Sequence, residues 1–235
     1  MMSKPSRSYL PEFEITELSP VRLAIAAKVT QSMREIPQFS IRTTVDASRL
    51  VEARSRMKQE TPEGAAVPTF NDFFLFAAAR ALAEHPTLNA WLEGNLLKIA
   101  KNMNVAFAAD TKQGVLLPCV RDADKKSLQE IAAEARELTE LCRAGKIRAS
   151  QQMGATFTIS NLGACGIDDF NAIISPPQVA ILAIGSIKLR PHPIGGKLEP
   201  RDTVTLTLTL DHRAVDGVQG AAFLSSLANL LENWK

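Results

Sequence analysis

The chain has 235 residues, enough for one large domain or two small ones, and 46% of them are hydrophobic, which suits a globular protein with a substantial core. The net charge of +2, with basic residues dispersed and no aromatic-basic alternation, gives no pull toward nucleic acid or a membrane surface. Three cysteines, Cys119, Cys142 and Cys165, are too few and too scattered for a disulfide framework or a zinc site, and their odd number fits a reducing compartment. No apolar run approaches the ~20 residues that span a bilayer, and the N-terminal residues lack a secretory apolar region, so a cytoplasmic protein is expected.

Residues 1–17 are polar and punctuated by proline, and read as an arm. A helix opens at "LSPVRLAIAAKVTQSM", with Ser19 as N-cap and Pro20 at the first helical position. Val21, Ile25, Val29 and Met33 give it one apolar stripe. "IPQFSIRTTVDA" alternates and predicts a strand, and a helix follows over about 47–60. "QETPEGAAVP" is expected to be a mobile loop. "TFNDFFLFAAARALAEHPTLNA" predicts a buried helix that stops before Pro86. "NVAFAAD" and "GVLLPCVRD" predict two strands around a short turn. "KKSLQEIAAEARELTELCRAGK" predicts an amphipathic helix, with Ser127 and Glu130 as a capping box and Gly145 at its end. "ATFTISNLG", "QVAILAIGSI" and "TVTLTLTL" are three further strands, and "GVQGAAFLSSLANLLENWK" is the last helix. The pattern is one α/β domain with a mixed sheet flanked by helices, spanning 18–235 with no boundary inside it.

The familiar catalytic templates are absent: no phosphate-cradling glycine loop, no dinucleotide fingerprint, no nucleophile elbow and no metalloprotease helix. That directs attention to the three histidines. His85 stands at a helix end before Pro86, and His192 in the proline- and glycine-flanked "RPHPIGGKLEP", which reads as a hairpin loop. His212 differs. It ends the most regular strand and precedes a tight turn into a helix, where a side chain projects from a rigid edge. Position alone leaves a structural role equally open.

"HRAVDG" carries an HxxxDG pattern, weak by itself. Together with "LSPVRLAIAAKVTQSM", "NDFFLFAAARALAEHPTLNA", "PCVRDADKKSLQEIA" and "TFTISNLGACGIDDFNAIISPPQVAILAIG", in order, it makes the chain resemble the catalytic domain of the dihydrolipoamide acyltransferases of 2-oxoacid dehydrogenase complexes. The resemblance runs from about Leu18 to Trp234. It implies a chloramphenicol acetyltransferase-like fold and an acyl transfer between coenzyme A, as substrate, and a thiol such as dihydrolipoamide. By the same resemblance His212 is the general base, Ser160 stabilises the tetrahedral oxyanion, and Asn161 follows it in the motif. No metal is expected. A thiol with pKa near ~8.5 is protonated at neutral pH and an imidazole near ~6.5 is a free base, so the chemistry is consistent.

Asp216 is easily taken for a triad acid, but it precedes Gly217 and the final helix and is a natural N-cap. The resemblance implies that it pairs with Arg22 and holds the loop that carries His212. It further implies a homotrimer with active sites between subunits, His212 coming from one and Ser160 from its neighbour. Family members carry lipoyl and subunit-binding domains ahead of the catalytic one. None is visible here, so the expected lipoyl group sits on a separate carrier protein. The large cores of the family are joined by a C-terminal segment beyond the last helix, and with the chain stopping at "LLENWK" isolated trimers are expected. Met153, before Gly154, stands where the family usually has a second glycine. Two alternatives keep the fold and change the role: a stand-alone acyltransferase acting on a small hydroxyl or amine, and a non-catalytic scaffold subunit.

Overall fold

The computed structural model describes residues 11–62 and 67–234. In chain order the elements are α1 (Pro20–Glu35), β1 (Gln38–Asp46), α2 (Ser48–Glu60), α3 (Phe70–Glu84), β2 (Ala90–Glu93), β3 (Leu96–Ile99), β4 (Val105–Phe107), β5 (Ala109–Thr111), β6 (Gly114–Leu116) and β7 (Cys119–Val120). There follow α4 (Leu128–Arg143), β8 (Phe157–Asn161), β9 (Ala180–Ile184), β10 (Lys188–Ile194), β11 (Lys197–Asp211) and α5 (Gly217–Glu232). The expected mobile loop has its central residues, 63–66, outside the described residues, as does most of the expected N-terminal arm.

The main sheet runs β1-β11-β9-β8-β4-β7, with β10 also on β11. It is mixed: β8 lies parallel to both β4 and β9, and the other pairs are antiparallel. The 15-residue β11 organises it. Val204, Leu206, Leu208 and Leu210 are wholly buried, because the strand's alternation sends every second residue to one face. Gly220 of α5 lies so close above that face that a Cβ on it would come within 2.3 Å of Leu210 Cδ1. The opposite face is also covered: Ile36, Ala172 and Ile174 pack on Ile181 and Ala183 of β9.

The expected helix caps are present. Ser19 Oγ accepts from the Arg22 N–H at 3.2 Å. Ser127 and Glu130 form the reciprocal cap of α4, with Glu130 Oε2 accepting from the Ser127 N–H at 2.7 Å, and Gly145 ends the helix at φ +66°.

Other expectations need correction. "NVAFAAD" and "GVLLPCVRD" are each two short strands: β4 and β7 join the main sheet, while β5 and β6 form a separate hairpin. Pro118 cannot extend a ladder as donor, which divides the second segment. "AWLEGNLLKI" is a hairpin, β2–β3, turned by Gly94 at φ +58°, a two-residue Gly-Asn turn the sequence offered but the strand reading passed over. His192 lies within β10, opposite Glu199, and the turn itself is Gly195-Gly196. The stripe of α1 is not buried in its own chain: Val21 and Ile25 are half-buried, Val29 and Met33 exposed, and Ser32 is the helix's one buried residue.

Candidate functional site

His212 is placed by the residues on either side of it. Asp211 closes β11 and is only 1% exposed. Its carboxylate accepts from the Arg213 N–H at 3.0 Å and from the Arg213 guanidinium through Nε at 3.0 Å and Nη2 at 2.7 Å. Its carbonyl accepts from the N–H groups of Ala214 and Val215, each at 3.0 Å. The chain therefore turns within three residues, and the one in the middle is thrown outward with its side chain about half exposed. The ionic closure fixes Arg213 as well: hydrogen bonding to Asp211 raises its pKa from an already high value.

Two further contacts orient His212. Its N–H donates to the Pro37 carbonyl at 3.1 Å, and its ring lies 4.4 Å from the ring of Phe39 at 39°. Asp216 Oδ1 is 3.7 Å from His212 Nδ1, too long for a hydrogen bond. Asp216 is the N-cap of α5, in extended backbone, and its N–H donates to Gln219 Oε1 at 3.0 Å. Gly217 opens that helix, where a side chain would meet only the Phe39 ring, at 4.0 Å. The expected Arg22–Asp216 pair is not formed within the chain. α1 seats Arg22 over the β5–β6 turn, where its guanidinium would lie 3.3 Å from a Cβ on Gly114.

Ser160 lies near the end of β8, half-buried, paired with Ala183 of β9. The turn beyond it is rigid. Asn161 Oδ1 accepts from the Gly163 N–H at 2.8 Å, and Ser186 Oγ bridges the carbonyls of Gly163 and Ile167 at 2.9 and 3.0 Å. Two glycines let the backbones layer: a Cβ on Gly163 would come 2.7 Å from the Gly185 carbonyl, and one on Gly185 only 1.9 Å from the Asp168 carbonyl.

The register separates the two residues within one chain. Ser160 aligns with Ala183, and Ala183 with Thr207, five residues before His212 on β11. Five residues at ~3.3 Å and two strand spacings at ~4.8 Å put their backbones roughly 19 Å apart. A base that deprotonates an attacking thiol and a hydroxyl that bonds the oxygen of the carbonyl under attack must flank one reacting centre, and a single chain holds His212 and Ser160 too far apart for that.

Sequence reasoning did not single out Asp211, Arg213, Pro37 or Phe39. The Asp211-His212-Arg213 triplet was in view, and the signal was an acid occupying the last position of a buried strand. The other histidines are structural: His85 caps α3, with Nε2 2.9 Å from Ser226 Oγ, and His192 lies on the hairpin surface. Among the described residues no group of three His, Cys, Asp or Glu could hold a metal ion, and no helix is long and apolar enough to cross a membrane.

In architecture the chain resembles chloramphenicol acetyltransferase, with a TM-score of 0.52 at 16% identity over 87% of this chain and 94% of that one. Its mixed sheet with flanking helices is thus a chloramphenicol acetyltransferase-like fold. Sequence comparison is more specific. Residues 11–235 match the family of 2-oxoacid dehydrogenases acyltransferase (catalytic domain), and the chain belongs to that family. It is 33% identical over 216 residues to the dihydrolipoyllysine-residue acetyltransferase component of the pyruvate dehydrogenase complex of Zymomonas mobilis, covering 92% of this chain and 49% of that protein. The chain thus spans about half the length of that curated relative. Among solved structures it resembles the dihydrolipoamide acetyltransferase of Azotobacter vinelandii, with a TM-score of 0.91, 32% identity, and 94% and 92% of the two chains covered. It also resembles the chain of the cubic core of a pyruvate dehydrogenase multienzyme complex, with a TM-score of 0.93, 32% identity, and 99% and 96% covered. In the Azotobacter enzyme a serine, a histidine and an asparagine were investigated for their role in the catalytic mechanism, spaced by 52 and 4 residues. Ser160, His212 and Asp216 have the same two intervals.

Proposed function

We propose that this chain is an acyltransferase that moves an acyl group between coenzyme A and the thiol of a dihydrolipoyl group. The observation that carries the reading is the pair of intervals that Ser160, His212 and Asp216 share with the investigated residues of the Azotobacter enzyme. In the proposed mechanism His212 takes the proton of the attacking thiol through the ring nitrogen turned away from Asp216. The thiolate adds to the thioester carbonyl, and the tetrahedral oxyanion accepts a hydrogen bond from the Ser160 hydroxyl. The intermediate collapses, the carbon–sulfur bond to the first carrier breaks, and the departing thiolate takes the proton back from the His212 imidazolium. No covalent enzyme intermediate and no metal enter.

The working form is a cyclic homotrimer in which His212 of one subunit faces Ser160 of the next. The ~19 Å separation within one chain supports this, as does the exposed apolar side of α1 (Leu23, Val29, Met33), which a second copy would cover. The relationship to a cubic core chain supports assembly from copies. The test is turnover of acetyl-coenzyme A with free dihydrolipoamide, followed by release of the coenzyme A thiol. Turnover that falls at least ~100-fold in His212→Ala is expected. Absence of turnover by wild-type protein with this thiol, alongside turnover with a hydroxyl or amine acceptor, would overturn the acceptor assignment.

A further inference from the structure

We infer that Gln38 is a positioning residue for His212, acting through the two residues that flank it in the chain; the inference rests on His212 being the general base. Pro37 and Phe39 hold His212, the first by accepting its N–H at 3.1 Å and the second by stacking its ring at 4.4 Å. Gln38 stands between them and opposite Asp211, at the point where β1 begins its pairing with β11. Alternation along a strand sends its side chain to the face opposite that of Phe39.

There its amide is tied at both ends. Gln38 Oε1 accepts from the Ile174 N–H at 3.1 Å, and Gln38 Nε2 donates to Ser32 Oγ at 3.0 Å and lies 3.3 Å from the Ser32 carbonyl. Ser32 is wholly buried and donates its hydroxyl proton to the Ile174 carbonyl at 2.7 Å. One residue thus joins the C-terminal turn of α1, the 172–175 segment and the start of β1. None of these bonds touches His212, yet they determine where the Pro37 carbonyl and the Phe39 ring sit. A polar cluster so placed is costly to leave half-satisfied, because removing the amide leaves the Ile174 N–H without its acceptor and takes from the buried Ser32 hydroxyl the N–H it accepts. The chain uses a three-way clamp at the one strand terminus that abuts the imidazole, while Asp211 and Arg213 fix it from the other side.

Because the clamp acts on orientation and not on substrate contact, its loss is expected in kcat and not in KM. Gln38→Met keeps the volume and removes every hydrogen bond of the amide. The expected result is a trimer of wild-type mass, kcat lowered about tenfold and KM for both substrates within about twofold. Ser32→Ala, which removes the serine hydroxyl's bonds to the amide and to the Ile174 carbonyl but leaves Gln38 Oε1 on the Ile174 N–H, is expected to move kcat in the same direction by less. A spectroscopic readout separates orientation from general weakening. With only three histidines, ¹³C-histidine labelling resolves each ring, and the His212 signal should shift or broaden in Gln38→Met while those of His85 and His192 stay in place. If Gln38→Met does not assemble, Ser32→Ala and Gln38→Glu, which retains the acceptor for the Ile174 N–H, carry the same two readouts. Wild-type kcat with an unmoved His212 signal overturns the inference, as does a loss confined to KM. Undiminished turnover by His212→Ala would instead overturn the underlying assignment of the base.

Discussion

Subunit mixing gives the sharpest test of the proposed trimer and of its site divided between chains. Let one tagged subunit carry Ser160→Ala and a second, differently tagged, His212→Ala. Alone, the first loses an oxyanion donor, worth about 10²–10³ in rate, and the second loses the base, worth about 10²–10⁴. Co-express them and keep only trimers that retain both tags. In a cyclic trimer of two kinds of subunit, one junction always joins an intact His212 to an intact Ser160, whichever kind is in the majority. Another junction always lacks both groups. Each mixed trimer therefore has one complete site, and activity should recover to about a third of wild type, far above either parent. The third is one complete site among three; the division itself rests on the register, in which Ser160 aligns with Thr207 through Ala183, roughly 19 Å from His212 in its own chain. If both groups came from one chain, no mixed trimer would hold a complete site. Activity at the parental level in doubly tagged trimers would refute the division.

Two further predictions follow from packing and burial. Gly185→Ala places a methyl 1.9 Å from the Asp168 carbonyl oxygen, a backbone atom that no rotamer change can clear, so destabilisation of about 3 kcal/mol or more is expected in a denaturant titration; a midpoint within error of wild type would show that the 162–168 turn can shift. Cys165 is exposed, whereas burial pushes the Cys119 thiol up to about 12 and raises that of buried Cys142. A thiol reagent at neutral pH should therefore modify Cys165 at once and the other two only after unfolding, and mass mapping of the labelled peptides would reveal any early reaction at Cys119.

What the sequence disclosed, and what it hid, divides largely by distance along the chain, the local Gly94-Asn95 turn of the β2–β3 hairpin being an exception. The cap of α4 is legible because Ser127 and Glu130 are three residues apart and need nothing else. The alternation of β11 is legible for the same reason, and it places His212 at a strand end before any fold is known. The split of β4 from β5 is not legible, since it depends on β8 lying parallel to β4, an arrangement set by residues some fifty positions away. The stripe of α1 was legible as apolar, but its burial was not, because its own chain offers little to cover it. The environment of His212 shows the same limit. Its neighbours Asp211 and Arg213 are adjacent in sequence, whereas Pro37 and Phe39 reach it only because β1 pairs with the far end of the chain.

Asp216 illustrates how the site's parts differ in what they must conserve chemically. Resemblance suggested an ion pair with Arg22, and on that basis removal of the charge should have cost activity. Within the chain the pair is absent, and Asp216 Oδ1 stands 3.7 Å from His212 Nδ1 with its side chain 80% exposed. In the Azotobacter enzyme the residue at the same interval from its histidine is an asparagine, which carries no charge. What aspartate and asparagine share is the ability to cap a helix, and Asp216 is the N-cap of α5, the helix that Gly220 seats on β11. The N-cap position suits either residue type, whereas an acid's role suits only the aspartate. Asp216→Asn should therefore keep kcat within about threefold and stability within a few tenths of a kcal/mol, while Asp216→Ala loses about 1 kcal/mol. Thermal unfolding and steady-state kinetics on the two variants decide it. A collapse of kcat in Asp216→Asn with unchanged stability would mean that the carboxylate's charge serves the imidazole, and that the long 3.7 Å contact shortens when the neighbouring subunit closes the site.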